Sequence, residues 1–124
     1  MKTNENLRRR TRQFAIRVIN LAGALPKTIP GKTIAGQIVR SGTSVGANYA
    51  ESCRPKSPAD FINKIGTVMQ ELEETRFWLE LLPDAKLCSA TRLVPLNDEV
   101  DQLMAIFSTM IEKTKRRNPQ PNNR

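Results

Sequence analysis

The sequence has no histidine, and this absence excludes several classes of active site. Without an imidazole the chain cannot build a Ser-His-Asp or Cys-His nucleophile system, or a zinc or di-iron site that uses histidine. Its two cysteines, Cys53 and Cys88, are too few for a four-cysteine zinc site. We therefore predict a protein that is not an enzyme, with no metal and no cofactor.

Long apolar runs are also missing. No stretch of the sequence approaches the roughly 18 consecutive apolar residues that a membrane span needs. The segment from Met1 to Arg12 is polar and basic, and no apolar signal core follows it. These features favour a cytoplasmic protein without a membrane partner, in which both cysteines are reduced. A regulatory disulfide is the alternative.

Charge is plentiful but uneven. The chain has 20 Lys+Arg against 12 Asp+Glu, a net charge of +8, which favours phosphate-rich partners. Residues 1–56 carry a net +9, residues 57–112 a net −6 and residues 113–124 a net +5. Complementary acidic and basic faces on one small rod favour head-to-tail self-association. A solvated surface without a partner is the alternative.

Apolar residues recur at alternating spacings of three and four in four segments, which is typical of amphipathic helices. No segment alternates with period two, so we expect no sheet. We predict an all-α, antiparallel up-down-up-down four-helix bundle as one domain over residues 1–117, with a flexible, disordered tail at 118–124. The helices are expected at about Asn4–Leu25, from Gly31 or Lys32 to Ser52, from Pro58 to Leu82, and from Ser89 or Thr91 onward. Pro83-Asp84 is expected to stop the third helix, and Pro95 to kink or delay the fourth.

The second helix contains Gly42 and Gly46, each of which costs about 1 kcal/mol of helix propensity relative to alanine. Their presence predicts a tightly packed central helix that touches neighbours on two sides. Ser41 and Asn48 fall on its buried row. We expect these two side chains to fix the helix register by a buried polar contact.

Several weaker motifs have simpler structural explanations. Gly31-Lys32-Thr33 lacks the upstream glycine and the buried strand of a phosphate-binding loop, so we expect it to begin a helix. The acidic residues of the third helix fall mostly outside its apolar stripe, and we expect a solvated or interface face there. Trp78 is expected at the core edge or in a subunit contact, because aromatic residues make up only 5% of the chain and base stacking is poorly supported.

Basic residues concentrate near both ends of the sequence. Arginines can bind phosphates, mostly without reading base sequence. A protein partner or plain solvation remains the alternative, and a helix-turn-helix use of the second helix is disfavoured by its glycines. The candidate nucleic-acid-binding residues are Arg8, Arg9, Arg10, Arg12, Arg17, Lys113, Lys115, Arg116 and Arg117.

The segment from Gln37 to Glu51 reads QIVRSGTSVGANYAE. It resembles the Q-x-x-R-[SA]-x-x-S-[IV]-x-x-N-x-[AR]-E signature of the four-helix-bundle proteins first met as open reading frames in 23S rRNA intervening sequences. The stretches 57–65 and 71–82 also resemble that family. The resemblance assigns a structural role to the motif residues Gln37, Arg40, Ser41, Ser44, Asn48 and Glu51.

That family is similar to the accessory variability determinant of diversity-generating retroelements. The resemblance implies a basic homo-oligomer, most simply a pentameric barrel, that binds RNA or DNA and assists a reverse transcriptase. A pentamer of +8 chains would carry about +40, so its binding would depend steeply on salt. The alternative is a ring-forming protein–protein scaffold without a nucleic-acid ligand.

Overall fold

The structure is a computed structural model that describes residues 2–119, with the side chains of residues 4–119. It contains four helices: α1 (Lys2–Ala24), α2 (Ile29–Ser52), α3 (Pro58–Asp84) and α4 (Ala90–Arg117). No strand occurs among the described residues, and the predicted all-α fold is confirmed. Of the predicted tail, residues 120–124 lie outside the described part of the chain.

Successive helices run in opposite directions. Asn4 near the start of α1 meets Tyr49 near the end of α2, with 3.2 Å between Oδ1 and the phenol oxygen. Helix α2 packs extensively on both α1 and α3, α4 packs on α3, and the contact between α1 and α4 is sparse. The backbones of α1 and α3 do not approach each other, so these helices lie diagonally across the bundle. The predicted four-helix bundle is therefore confirmed.

All four helices contribute to one hydrophobic core. Its members come from the predicted stripes, because residues three and four apart lie on one helix face. Burying each large apolar side chain contributes about 1.5–3 kcal/mol. The largest fully buried side chains are Tyr49, Phe14, Phe107, Ile38, Ile65, Leu72, Leu79, Leu82, Leu93, Leu103, Val18 and Val45.

The absence of side chains at two glycines lets α1 and α2 approach closely. A Cβ at Gly42 would lie 2.8 Å from Cγ1 of the buried Val18, closer than two carbon atoms can pack. A Cβ at Gly46 would lie 3.2 Å from the hydroxyl oxygen of Thr11. The predicted tight packing of α2 is confirmed on the α1 side by these distances.

The start of α2 differs from the prediction. The helix begins at Ile29, because the side chain of Thr28 caps it by accepting a hydrogen bond from the Gly31 amide at 3.2 Å. Pro30 lies in the first turn, where a missing N–H leaves no helical hydrogen bond unmade. A Cβ at Gly31 would lie 2.1 Å from the Pro26 carbonyl oxygen, so the turn before α2 folds back onto this glycine.

The turn between α3 and α4 also corrects two expectations. Helix α3 continues through Pro83 to Asp84 and ends in a turn around Lys86, which has a positive φ of 61°. There the Leu87 amide donates to the Leu82 carbonyl at 2.9 Å, a bond typical of left-handed helix ends. Helix α4 begins at Ala90, where Ser89 caps it, and includes Pro95 without any delay.

The register contact between α2 and α3 involves Ser41, but not Asn48. The hydroxyl oxygens of Ser41 and Thr75 are 2.9 Å apart, and both residues are fully buried. Asn48 is only half-buried, and its side-chain amide donates to the Ser44 carbonyl of its own helix at 2.8 Å. The expectation that Asn48 makes a buried register contact was wrong, because this amide is satisfied locally.

The two cysteines lie at opposite ends of the bundle. Cys53 follows the last turn of α2, and Cys88 lies in the turn between α3 and α4. A disulfide requires Cα atoms within about 7 Å, so the two thiols of one chain cannot pair.

Within residues 2–119, none of the helices combines the length and apolar character needed to cross a bilayer.

The close approach at Gly42 gives a stability prediction. Gly42→Ala should lower the free energy of unfolding by about 1 kcal/mol, because the clash with Val18 costs about 1–3 kcal/mol and outweighs the gain in helix propensity. Gly36→Ala is the matched control, since a Cβ there meets nothing within 4 Å. It should stabilise the helix by about 0.5–1 kcal/mol. Urea unfolding of both variants checks this, and a stabilised Gly42→Ala would contradict the packing described.

Candidate nucleic-acid interface

The arginine cluster of α1 is divided among four surroundings, of which three are solvent-exposed and the fourth is an ion pair of Arg10. Arg8 and Arg9 are exposed near the start of the helix. Arg12 lines a groove of about 440 Å³ between α1 and α2, whose floor is formed by small side chains. Arg17 faces α4 and lines a different groove together with Arg92. The sequence therefore predicted one cluster, whereas the helix geometry distributes it around α1.

Arg10 is half-buried and pairs with side chains of α4. Its guanidinium donates to both carboxylate oxygens of Glu99 on α4, at 2.7 and 2.9 Å, and to the Gln102 side chain at 2.7 Å. These bonds to Glu99 raise the pKa of Arg10 above its ordinary value. A guanidinium held by a carboxylate in this bidentate geometry has few donors left for a phosphate. The assignment of Arg10 as a phosphate contact is therefore not supported by its surroundings.

The alternating helix directions bring the two basic ends of the sequence together. The starts of α1 and α3 lie at the same end of the bundle as the ends of α2 and α4. We call this the basic end. Its exposed or half-buried cations come from three helices, α1, α3 and α4, and from the loop between α2 and α3, and they are Arg8, Arg9, Arg54, Lys56, Lys64, Lys113, Lys115, Arg116 and Arg117.

Two grooves show that these cations adjoin one another in space. One groove of about 380 Å³ is lined by Arg8 of α1, Arg54 of the loop between α2 and α3, and Lys64 of α3, together with Glu51. Lys56 and Arg117 line a second of about 390 Å³, beside Phe61.

Sequence reasoning missed Arg54, Lys56 and Lys64. Arg54 and Lys56 flank Pro55 in the loop between α2 and α3, which lies far from both basic termini in the sequence. Because the four helices alternate in direction, this loop lies beside both basic termini. The predicted up-down-up-down topology was therefore enough to place these cations at the same end of the bundle.

One acidic group at the basic end, Asp60, is paired with neighbouring residues. The Asp60 carboxylate accepts a hydrogen bond from the Lys56 amide at 2.9 Å and lies 3.5 Å from the Lys64 ammonium. These contacts, chiefly the one to Lys56, lower the pKa of Asp60. Among the described residues no group of three carboxylates or thiols is arranged to hold a metal ion.

Two of the motif residues of α2, Arg40 and Ser41, contact α3. Arg40 forms ion pairs with Glu74 and, at 3.5 Å, with Glu71. The Glu74 carboxylate also accepts a hydrogen bond from the Trp78 indole at 3.2 Å. Ser44 donates to the Arg40 carbonyl at 2.6 Å. These contacts, with the Ser41 hydroxyl already described, make this part of the motif a connection between two helices.

The remaining motif residues are surface groups. Gln37 is exposed on α2, and Glu51 is exposed in the groove between Arg8 and Arg54.

The comparison with protein families matches residues 4–109 to the family described as 23S rRNA-intervening sequence protein. The chain belongs to this family. The match covers α1 to α3 and most of α4, so the cations from Lys113 to Arg117 lie beyond the matched segment of this 23S rRNA-intervening sequence protein.

A similar solved structure is a protein of unknown function from the S23 ribosomal protein family of Bacteroides thetaiotaomicron. It is 32% identical, with a TM-score of 0.79, and the alignment covers 90% of this chain and 99% of that one. No curated protein matches the chain.

The Arg40–Glu74 pair makes part of the stability of this 23S rRNA-intervening sequence protein depend on pH. Donation from Arg40, and then from Trp78, holds the pKa of Glu74 below its ordinary value. A lowered folded-state pKa stabilises the protein above the unfolded-state pKa, and this stabilisation is lost as the pH falls through the folded-state value.

Arg40→Gln should therefore raise the pKa of Glu74 toward its ordinary value. The variant should be less stable than the natural protein near neutral pH, with the difference shrinking below about pH 4 as the carboxylate is protonated. NMR titration of Glu74 and thermal unfolding at several pH values measure both effects. Lys32→Gln, at an exposed position of α2, is the control. A pKa of Glu74 that does not move in Arg40→Gln would contradict the prediction.

Proposed function

We propose that this protein is a non-enzymatic, homo-oligomeric accessory protein that binds RNA or DNA through phosphate contacts at its basic end. One observation carries the proposal: cations from three helices and one loop gather at one end of the bundle. Separate solvated charges would repel each other less if they were dispersed. A polyanion compensates this repulsion, because each phosphate contact also releases condensed counterions.

The grooves at the basic end suit a nucleic-acid backbone better than a small ligand. Cations surround them, while the lining offers little buried polar surface that would select one molecule. Contacts of this kind position a backbone without reading its sequence. The contacting residues proposed here are Arg8 and Arg9, the newly found Arg54, Lys56 and Lys64, and the four cations of the α4 terminus.

The proposal includes the oligomer and the context that the sequence resemblance implies. A pentamer would present five basic ends and a total charge of about +40, which strengthens long-range attraction of polyanions. The likeness to the retroelement accessory determinant supports a role beside a reverse transcriptase in the cytoplasm. The family name connects these proteins with sequences that interrupt 23S rRNA, which favours RNA as the first ligand to test.

The test is a titration with a structured RNA and a matched duplex DNA at several salt concentrations, read by fluorescence anisotropy. The double variant Lys56→Glu/Arg117→Glu should weaken binding roughly tenfold or more and lower the salt slope by about two, one for each lost phosphate contact. The control is Lys32→Glu/Lys86→Glu, which removes two exposed lysines at the opposite end of the bundle with the same change in net charge.

Equal losses in both double variants would mean that only net charge matters, and no loss in the first would overturn the basic end as the interface.

A ring-forming scaffold is the second candidate function. It is favoured by the exposed isoleucines Ile16 and Ile19 of α1, which phosphate contacts do not use. Failure of the natural protein to bind either nucleic acid at low salt, with its oligomer intact, would select the scaffold.

A further inference from the structure

Helix α1 carries a second stripe on the side opposite its core stripe. Residues of this outer stripe are spaced alternately four and three apart, the spacing that helices use to pack against one another. All are exposed, and they include two large apolar side chains: Ile16 is 51% exposed and Ile19 is 48% exposed. The α1 outer stripe consists of Glu5, Arg9, Arg12, Ile16, Ile19 and Gly23.

Helix α3 carries a stripe with the same spacing and the opposite charge. At its centre Phe77 is 55% exposed, with the half-buried Leu81 beside it. The carboxylates of Glu73 and Glu80 flank this apolar centre, as the arginines of α1 precede its isoleucines. The α3 outer stripe consists of Gly66, Gln70, Glu73, Phe77, Glu80 and Asp84.

The two outer stripes cannot meet within one chain. Helices α1 and α3 lie diagonally across the bundle, and the stripes face away from its core. One molecule therefore presents a basic, apolar stripe on one side and an acidic, apolar stripe on the other. This arrangement fits a heterologous contact, in which different surfaces of two copies meet.

We propose that the α1 outer stripe of one copy packs against the α3 outer stripe of the next, so that copies join head to tail. This inference rests on the homo-oligomer of the proposed function and names its contact surfaces. Helices α1 and α3 run in the same direction, so rotation about an axis along the bundle keeps them parallel. With Ile16 opposite Phe77, the shared spacing places Arg12 opposite Glu73.

Charge complementarity selects a second copy over the other occupants. The α3 outer stripe is acidic and repels a nucleic acid, whereas the α1 outer stripe of another copy supplies both the cations and the apolar side chains that match it. Burying Ile16 against Phe77 removes apolar surface from water, and the ion pair of Arg12 with Glu73 fixes orientation and register.

The ion pairs of Arg40 prepare the α3 outer stripe for this contact. Arg40 holds Glu74, and Glu74 accepts the hydrogen bond of Trp78. The Trp78 ring then packs edge-on against Phe77, with 4.9 Å between ring centroids. This chain of contacts links Arg40 to the exposed aromatic side chain at the centre of the α3 outer stripe.

The test uses two variants that each destroy one stripe. Ile16→Glu/Ile19→Glu sets carboxylates against the acidic stripe, and Phe77→Lys sets a cation against the basic stripe. Each variant alone should have the mass of one chain, 14.0 kDa, by sedimentation or light scattering. Mixed in equal amounts, they should form a heterodimer of twice that mass, because each retains the stripe that the other lacks. Circular dichroism and thermal unfolding verify that each variant folds.

The control is Ile29→Glu, at the most exposed of the large apolar residues, which lies outside both stripes and should keep the natural oligomer. Variants that retain the natural mass, or a mixture that stays monomeric, would overturn the head-to-tail contact and leave nucleic-acid binding at the basic end untouched. A monomeric natural protein would overturn both this contact and the homo-oligomer. Mixing Arg9→Glu/Arg12→Glu with Glu73→Arg/Glu80→Arg changes no apolar residue and sets opposite charges against each other at both possible contacts. This mixture should therefore form assemblies larger than the heterodimer.

Discussion

The arrangement of the bundle depends on the position of α2 between two neighbours. Gly42 and Gly46 let α1 approach on one side, and the hydroxyls of Ser41 and Thr75 fix α3 on the other. Because α2 is held on both sides, α1 and α3 are kept apart on a diagonal of the bundle. The separation of basic and acidic surfaces follows from this diagonal as much as from the composition of either helix.

The charges are distributed along two directions of the same rod. Along its length, the alternating helices gather cations from both termini and from the loop around Pro55 at one end. Around its circumference, the outer stripes of α1 and α3 carry opposite signs. The proposed assembly would join copies through their sides and leave most of the basic end free for the proposed nucleic-acid contacts. Arg9 belongs to both surfaces, since it lies on the α1 outer stripe and is also one of the cations of the basic end.

The fold could be read from the sequence because helix spacing reports directly on burial. The apolar stripes identified the core of every helix, and the glycines of α2 predicted its tight packing, although not which helix approaches them. The boundaries were less accurate, because capping by Thr28 and a left-handed turn at Lys86 decide them locally. These signals are short, and the prolines at 30 and 83 resemble helix ends although the helices include them.

The site was harder to predict because it depends on partners distant in the sequence. The sequence around Arg10 does not indicate that its guanidinium binds Glu99. The sequence around Lys56 likewise does not indicate that Arg117 lines the same groove. The family motif was recognised correctly, but its chemistry appears only when Arg40 is seen next to Glu74 and Trp78. Residue types predicted the kind of surface, whereas topology determined which members share it.

The seam between α1 and α4 has a mechanical consequence. These helices touch only sparsely, and within the described residues the bonds of Arg10 to Glu99 and Gln102 are their polar links. Helix α1 is therefore attached mainly along its contact with α2, whereas its contact with α4 depends on the shared apolar core and on this one group of polar links. Regions with few contacts open first in a native protein. Local opening of the bundle should therefore begin at the seam between α1 and α4.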